Sequence, residues 1–201
     1  MDQNSLSRID QPRMQIIQAA QRLFVQQGYH GTSMRQIAKE AGIALGGIYN
    51  HFPGKAAIFE TVFLEYHPYL EVIPALLSAE GNTLEEMVRS AAARMLAALE
   101  KRPDFLHLMF IEVIEFKSTH TNRLFAMIFP DALKIVDKFA AFPGRLRSIP
   151  PAILVRSFIG LFFSYYMTGI LLTQDTPGDF SADALAHFVD IYLYGILSEG
   201  E

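Results

Sequence analysis

A short run between two segments of helical periodicity carries glycines at its start and polar groups at its end. Residues 42–55 read GIALGGIYNHFPGK. Tyr49, Asn50 and His51 offer hydrogen-bond donors and acceptors in immediate succession, and Lys55 adds a cation. Three glycines among the first six residues leave the start of the run without side chains. The backbone there can therefore approach another molecule closely.

A second group of chemically capable residues, His107, Glu112, Glu115 and His120, lacks the spacing of a metal site. It contains no Glu-x-x-His or His-x-x-x-His pair, the spacings that place two ligands on one helix face. The sequence also has no nucleophile elbow, glycine-rich phosphate loop or paired-carboxylate pattern. We therefore predict no metal site, no catalytic residue, no cofactor and no enzyme activity.

The composition is that of a globular protein with a large apolar fraction. The chain has 201 residues, of which 51% are hydrophobic and 19% charged. This length allows one core, or a small domain joined to a larger one. The absence of cysteine excludes disulfides, thiolate zinc sites and cysteine nucleophiles. The N-terminus has no basic region followed by an apolar run, so we expect no signal peptide and a cytoplasmic location.

Charge is distributed unevenly along the chain. The formal net charge of −4 argues against a general polyanion binder. Residues 1–60 contain six Lys and Arg but four Asp and Glu, so they carry +2 and the rest of the chain carries −6. We therefore expect any nucleic-acid contact to lie in the first third of the chain.

The spacing of apolar residues predicts an all-α fold of about nine helices. The first helix begins near Asp10 and ends at Gly28. The second follows Thr32 as its N-cap and ends at Gly42. A third helix, over 45–52, precedes a Pro-Gly break.

Longer helices follow this break. One begins at Lys55, and Pro68 and Pro74 should kink or end it. Later helices are predicted at roughly 83–100, 104–117, 121–141, 151–173 and 181–198. The pattern predicts a three-helix domain over 1–53 and a larger helical domain over 54–201.

Residues 33–52 have the spacing of a helix-turn-helix. Ala38 lets the second helix cross closely, Gly42 supplies a left-handed turn residue, and Ile48 locks the pair. Ile48 and Phe52 lie four residues apart and point inward, so the glycines and polar side chains of the second helix face outward. In a DNA major groove, the tip of such a helix meets base edges.

The run from residue 13 to residue 63 resembles the N-terminal DNA-binding domain of the TetR family of bacterial transcriptional regulators. It contains IIQAAQRLFVQQGYHGTSMRQIAKEAGIALGGIYNHFPGKAAIFETVF without a gap. The residues that carry the resemblance are Phe24, Gly28, Tyr29, Thr32, Ser33, Ile37, Ala38, Ala41, Gly42, Gly46, Tyr49, Phe52 and Lys55. A bare helix-turn-helix is weak evidence, whereas this ordered series is specific. The rest of the chain matches the family only in architecture.

The resemblance implies DNA contacts from the whole helix-turn-helix. Thr32 and Ser33 would hold a phosphate, and Arg35 would reach a phosphate or a base. Lys55 would anchor a phosphate at the start of the fourth helix. The recognition helix would contribute Leu45, Gly46, Gly47, Tyr49, Asn50 and His51.

Two positions depart from the family pattern. Ala44 and Leu45 replace the polar pair, often Ser-Lys, that commonly opens the recognition helix, and Gly47 replaces a frequent Thr or Ser. These changes remove a capping hydroxyl and hydrogen bonds to bases. We therefore expect sequence reading to depend more on thymine-methyl contact at Leu45 and on DNA shape.

The larger domain contains most of the aromatic residues, and in this family such a domain encloses an effector pocket. The resemblance therefore implies a site for an apolar or aromatic ligand among its helices. Plain core packing is an equally good interpretation of any single residue there. The candidate lining residues are Phe105, His107, Met109, Glu112, Phe125, Phe158, Phe162 and Tyr165.

The predicted helix over 151–173 carries small residues at intervals of four. Gly160, Ser164 and Thr168 share one stripe with Leu171, and small side chains let another helix approach closely. The family's dimers are four-helix bundles of the last two helices from each subunit. We therefore expect this stripe to face a second copy of the chain.

These features together predict a homodimeric, ligand-responsive repressor that binds a pseudo-palindromic double-stranded DNA operator and releases it when a small molecule binds. One alternative is an all-α small-molecule-binding or enzymatic protein whose helix-turn-helix is incidental. Another is a membrane-associated helical protein built around the uncharged segment 157–173, which is slightly short for a bilayer. We prefer a core or interface helix there and expect no membrane partner.

Overall fold

The structure is a computed structural model that describes residues 3–141, 147–172 and 184–196. Within these ranges all regular structure is helical and no strand occurs. The predicted all-α fold is confirmed. The described residues form ten helices rather than about nine, because the segment after Lys55 divides into two helices at Pro68.

The later helices begin and end within about three residues of the predicted bounds. The limits predicted at 173, 181 and 198 lie outside the described residues. The helices are α1 (Gln3–Gly31), α2 (Met34–Glu40), α3 (Leu45–Ile48), α4 (Lys55–Tyr66), α5 (Tyr69–Leu77), α6 (Leu84–Leu99), α7 (Phe105–Glu115), α8 (Thr121–Ala140), α9 (Pro151–Leu171) and α10 (Ala184–Ile196).

The connection from α1 to α2 depends on a glycine and on two hydroxyl side chains. Gly28 has φ 74° and ψ 175°, so the helical backbone is broken there. Thr32 is buried, and its hydroxyl donates to the Gly28 carbonyl over 2.8 Å. Ser33 caps α2 in a reciprocal arrangement with Gln36. The predicted N-cap, Thr32, is therefore wrong by one residue, because its hydroxyl closes the end of α1 instead.

The turn into α3 uses the glycine that the sequence indicated. Gly42 has φ 70°, a conformation that favours glycine over residues with a Cβ. The helix that follows covers only 45–48 and continues as a turn, so it is shorter than the predicted 45–52. Ile48 and Phe52 are both buried, as their inward phase predicted.

The chain divides into two compact units. The first comprises Met1–His67 and Pro103–Phe125, so that α7 packs with α1 and α4. Its largest buried side chains come from α1, from the helix-turn-helix and from α4; they include Ile16, Ile17, Phe24, Ile37, Ile48, Ile58 and Phe59. The predicted division into domains 1–53 and 54–201 stays a prediction.

The second unit comprises residues 68–102 and 126–201. Its described part packs α6 against α5, α9 and α10. Phe158 contacts Phe139 and Phe162 at ring-centroid distances of 5.6 and 4.6 Å. The Tyr192 hydroxyl donates to the Leu154 carbonyl over 2.8 Å, and burial raises the pKa of Tyr192 to about 12. This cluster forms the core of the unit.

The apolar helix α9 also meets the length and composition of a membrane span over Ala152–Leu171. One such helix is weak evidence, because core and interface helices share these properties. Here α9 packs against α6 and α10 of its own unit.

Candidate nucleic-acid interface

One face of α3 is buried and the other is exposed. Ile48 and Phe52 lie in the core, and α3 packs against α2. On the outer face, Tyr49 is 53% exposed and Leu45 is 37% exposed, and Asn50 is exposed beside them. An exposed aliphatic side chain beside phenol and amide groups can contact thymine methyl groups, base edges and phosphates.

The two glycines of α3 have room for a side chain. A Cβ atom placed on Gly46 or Gly47 would meet no heavy atom within 4 Å. Neither glycine has a positive φ. Packing and backbone conformation therefore do not require glycine at either position. The missing side chains leave the backbone of the outer tip open to close approach by another molecule.

The first turn of α3 has no side-chain cap. Ala44 occupies the N-cap position in an extended conformation and makes no side-chain hydrogen bond to the helix amides. The Gly47 and Ile48 amides donate to the Ala44 carbonyl, whereas no side chain of the chain caps the first amides of the helix, where an acceptor from another molecule can bind. The departure from the family pattern at Ala44 thus leaves backbone donors at the tip.

The predicted phosphate contacts at the start of α2 differ in accessibility. Thr32 is 1% exposed, and its hydroxyl is bonded to Gly28 and approached by the Gln27 amide at 3.3 Å. Ser33 and Arg35 are exposed. The Ser33 hydroxyl takes part in the cap of α2. The structure therefore gives Thr32 an internal role and leaves Arg35 as an outward-facing cation.

Lys55 joins α4 to the end of α1. Its Nζ atom donates to the carbonyls of Tyr29 and Thr32 over 2.6 and 2.7 Å. It also lies 4.1 Å from the centroid of the Tyr29 ring. Burial lowers the pKa of the Lys55 ammonium, and the negative charge of Glu115 opposes that shift. The ammonium therefore holds the connection between α1 and α2, and its contact with a phosphate stays a prediction.

The amides at the start of α4 have no side-chain cap. Gly54 occupies the N-cap position of α4 and supplies no side-chain acceptor. The helix dipole favours an anion at this end. These backbone amides are further candidates for the phosphate contact predicted at Lys55. His51 is partly buried just before this helix.

An aromatic cluster links α7 to the end of α1, and sequence patterns did not reveal it. The Phe116 ring stacks on Phe59 at 4.5 Å and meets Tyr29 edge-on at 4.8 Å. His30 Nε2 lies 2.6 Å from a carboxylate oxygen of Glu115. Local sequence patterns could not indicate these contacts, because Phe116 lies far in sequence from Tyr29 and Phe59.

Glu112, a candidate pocket residue, is a buried cap for the start of α8. One carboxylate oxygen accepts from the His120 and Thr121 amides over 2.7 and 3.2 Å. The other lies 2.7 Å from Nδ1 of His120. These partners compensate the desolvation of a side chain that is 1% exposed. Among the residues that the structure describes, no three His, Asp or Glu side chains converge as metal ligands.

The other candidate pocket residues of the first unit differ in burial. Phe105 is buried and meets His67 edge-on at 4.7 Å. His107 is exposed, and Met109 is partly buried. Phe125 is 60% exposed. Their part in a ligand pocket, like that of Glu112, stays a prediction.

The candidate pocket residues of the second unit have two different environments. Phe158 and Phe162 are buried among core side chains. Tyr165 lines a cavity of about 570 Å³ between α6, α9 and α10. Helical spacing alone does not distinguish an aromatic residue of the core from one that lines a pocket.

The stripe predicted to face a second copy is largely accessible. Gly160 and Ser164 are exposed, as is Leu171. A Cβ on Gly160 would meet no heavy atom within 4 Å, so packing inside the chain does not require glycine there. Thr168 is partly buried and lines the cavity. Neighbouring apolar side chains, including Ile153, Ile159, Ile170, Ile191 and Tyr194, are also exposed.

The helix-turn-helix region matches a known family of regulators. Residues 16–62 match the model of the bacterial regulatory proteins of the tetR family. The chain is 55% identical over 42 residues to the HTH-type transcriptional regulator LmrA of Bacillus subtilis, which covers 21% of this chain and 22% of LmrA. It is 35% identical over 86 residues to the HTH-type transcriptional regulator HbdR of Aromatoleum sp., covering 42% and 38% respectively. The chain thus matches well under half the length of these relatives.

The likeness of the fold extends beyond this region. A TetR family transcription regulator from Marinobacter aquaeolei VT8 superposes with a TM-score of 0.63. The match covers 96% of this chain and 99% of that one, at 17% sequence identity. At this level of identity the comparison concerns the fold alone.

Proposed function

We propose that this chain is a DNA-binding transcriptional repressor, because its residues 16–62 match the model of the bacterial regulatory proteins of the tetR family. It would act in the cytoplasm as a homodimer and release a pseudo-palindromic operator when a small molecule binds. The functional division would follow the predicted domains, with DNA binding in 1–53 and effector binding and dimerisation in 54–201.

The observation that carries this proposal is the outer face of α3. Two glycines with open space beside them stand next to exposed Leu45, Tyr49 and Asn50, while Ile48 fixes the opposite face in the core. A surface with its backbone bared at one end and polar groups at the other suits close contact with a groove. Arg35 and the uncapped amides of α4 would add phosphate contacts.

A homodimer would place two such faces on one DNA duplex. The exposed stripe of α9 with Gly160, Ser164 and Leu171, together with Tyr194 of α10, supports assembly through the last two helices. Tyr194 is 83% exposed, which is unusual for a large aromatic side chain unless a partner covers it. Recognition helices of such a dimer would enter successive major grooves about one helical turn apart.

Release of DNA requires that an effector distinguish between two conformers of the dimer. A ligand shifts the equilibrium only by its difference in affinity for the two. The chain passes between the compact units at residues 67–68, 102–103 and 125–126. In the first unit, Phe116 packs on Tyr29, whose carbonyl is bound by Lys55. A movement of α7 would therefore reach the connection between α1 and α2.

Selection from a random pool of DNA duplexes tests the proposed function. The proposal predicts enrichment of a sequence with two related half-sites, and weaker binding as salt concentration rises. The alternative, a small-molecule-binding or enzymatic protein with an incidental helix-turn-helix, predicts no enriched sequence. Enrichment of a single unpaired site would contradict binding by a symmetric dimer.

A further inference from the structure

We propose that the cavity between α6, α9 and α10 binds an apolar organic cation, and that this cation is the effector. The cavity has a volume of about 570 Å³, which lies in the range of small-molecule sites, roughly 300–1,000 Å³. All of its lining residues belong to the second compact unit. The regulatory role of the site rests on the proposed function, whereas its capacity to bind a cation does not.

The walls of the cavity are mainly apolar. Leu96 of α6 and Leu185 of α10 line it with several alanines of α6. Burial of apolar ligand surface against such side chains would supply most of the affinity. These walls favour a ligand with a large hydrocarbon body.

Two aromatic rings form a corner of the cavity. Tyr165 and Phe188 both line it, and their ring centroids lie 5.1 Å apart at an angle of 69°. A pair of inclined rings presents aromatic surface on two sides of a bound group. The negative faces of aromatic rings attract cations, most strongly when the cation is removed from water.

The charge at the cavity lining is negative. Glu100 is the acidic residue that lines it, and no basic residue is among the described residues of its lining. Glu100 is also the C-cap of α6, where the helix dipole favours a cation. Burial raises the pKa of the Tyr166 hydroxyl, and the negative charge of Glu100 raises it further. A cation therefore gains from the carboxylate, the helix end and the rings together.

Two hydroxyl groups of the cavity lining, those of Tyr166 and Thr168, are directed at backbone carbonyls. Tyr166 donates to the Leu99 carbonyl over 3.3 Å. Thr168 lies within 2.9 Å of the Ser164 carbonyl and 3.0 Å of the Tyr165 carbonyl. An anionic ligand would have to compete for these donors and would meet the repulsion of Glu100. The same surface that attracts a cation thus disfavours an anion.

Calorimetric titration of the full-length protein, without DNA, tests the charge preference. Tetraphenylphosphonium and tetraphenylborate are suitable ligands because they have the same shape and opposite charge. We expect the phosphonium ion to bind at least ~10-fold more tightly than the borate ion. Equal affinities, tighter borate binding, or failure of both ions to bind would overturn the proposal.

Three variants locate the binding. Glu100→Gln should reduce the preference for the phosphonium ion to about threefold or less. Asp137→Asn makes the same charge change at an exposed position outside the cavity lining and should leave the preference unchanged. Tyr165→Leu keeps an apolar wall but removes a ring, and should weaken phosphonium binding several-fold. Unchanged phosphonium binding in both Glu100→Gln and Tyr165→Leu would place the site elsewhere.

A DNA-binding assay separates this proposal from the proposed function. Phosphonium should release wild-type protein from its selected duplex, and the concentration required should rise in Glu100→Gln. Cation binding without DNA release would overturn the effector role. Failure of the ligand-free protein to bind any selected DNA would instead overturn the proposed function, while the calorimetric result would still decide the cation site.

Discussion

Replacement of Gly47 by alanine separates the needs of the fold from those of DNA binding. The added Cβ would meet no heavy atom within 4 Å, and Gly47 has no positive φ. Alanine in a helix is more favourable than glycine by about 0.5–1 kcal/mol. We therefore expect Gly47→Ala to be as stable as the wild type or more stable by up to about 1 kcal/mol. In thermal denaturation this would raise Tm by at most a few degrees.

The same methyl group should weaken DNA binding. If the backbone of α3 approaches DNA closely, the added Cβ prevents that approach, and we expect a loss of about tenfold or more in affinity, or ~1.4 kcal/mol. Fluorescence anisotropy of a labelled, selected duplex measures it. Ala126→Leu serves as a control, because it adds apolar volume at an exposed position of α8, outside α3 and the last two helices. Stable Gly47→Ala protein with undiminished affinity would refute this account of the glycines.

Three further changes test contacts elsewhere in the molecule. Lys55→Met removes two hydrogen bonds to backbone carbonyls and should lower the free energy of unfolding by about 2 kcal/mol. The control Lys39→Met, on the exposed face of α2, should change the free energy of unfolding little. Burial lowers the pKa of His67 to about 4. Between pH 6.5 and 4 the unfolded chain therefore binds a proton at His67 that the folded chain does not bind. The free energy of unfolding should fall by about 3 kcal/mol as the pH drops through this range. Urea denaturation across this range should show a shallower pH dependence in His67→Leu, and an unchanged slope would contradict the assignment. Gly160→Leu should weaken dimerisation in sedimentation experiments, while Ala126→Leu on α8 should not; an unaltered dimer mass would count against the proposed interface.

Local sequence signals predicted the helix-turn-helix well because its geometry depends on single residues. Gly28 and Gly42 adopt the positive φ values that glycine favours, at the places where the helices were expected to end. Ile48 and Phe52 occupy the predicted inner face. The N-cap of α2 was misplaced because Thr32 and Ser33 are adjacent capping residues, and only the position of the Gly28 carbonyl decides between them.

Contacts between residues far apart in sequence could not be predicted in this way. The sequence does not show whether a lysine such as Lys55 binds a phosphate or a backbone carbonyl. The carbonyls that Lys55 binds belong to residues 23 and 26 positions earlier. Glu112 reads as an ordinary helix carboxylate until the turn after α7 brings the His120 amide to it. Sequence patterns identify helices and their faces, but not which side chains those helices bring together.

The aromatic residues of the second unit show a related ambiguity. Phe158, Phe162 and Tyr165 belong to one apolar helix with similar spacing. The first two fill the core, while Tyr165 faces a cavity together with residues of α6 and α10. The distinction depends on how neighbouring helices diverge along their length, which hydrophobic periodicity does not encode.

The most direct test of the central claim is the affinity of the protein for its selected duplex relative to a scrambled duplex, with and without the Tyr49 side chain. Tyr49 is exposed on the outer face of α3, so its loss should leave the fold intact. Wild-type protein should prefer the selected duplex by at least ~10³-fold at moderate salt. Tyr49→Ala should lose about tenfold or more of affinity for that duplex at unchanged Tm. Equal affinity for the two duplexes, or full specificity in Tyr49→Ala, would contradict recognition through α3.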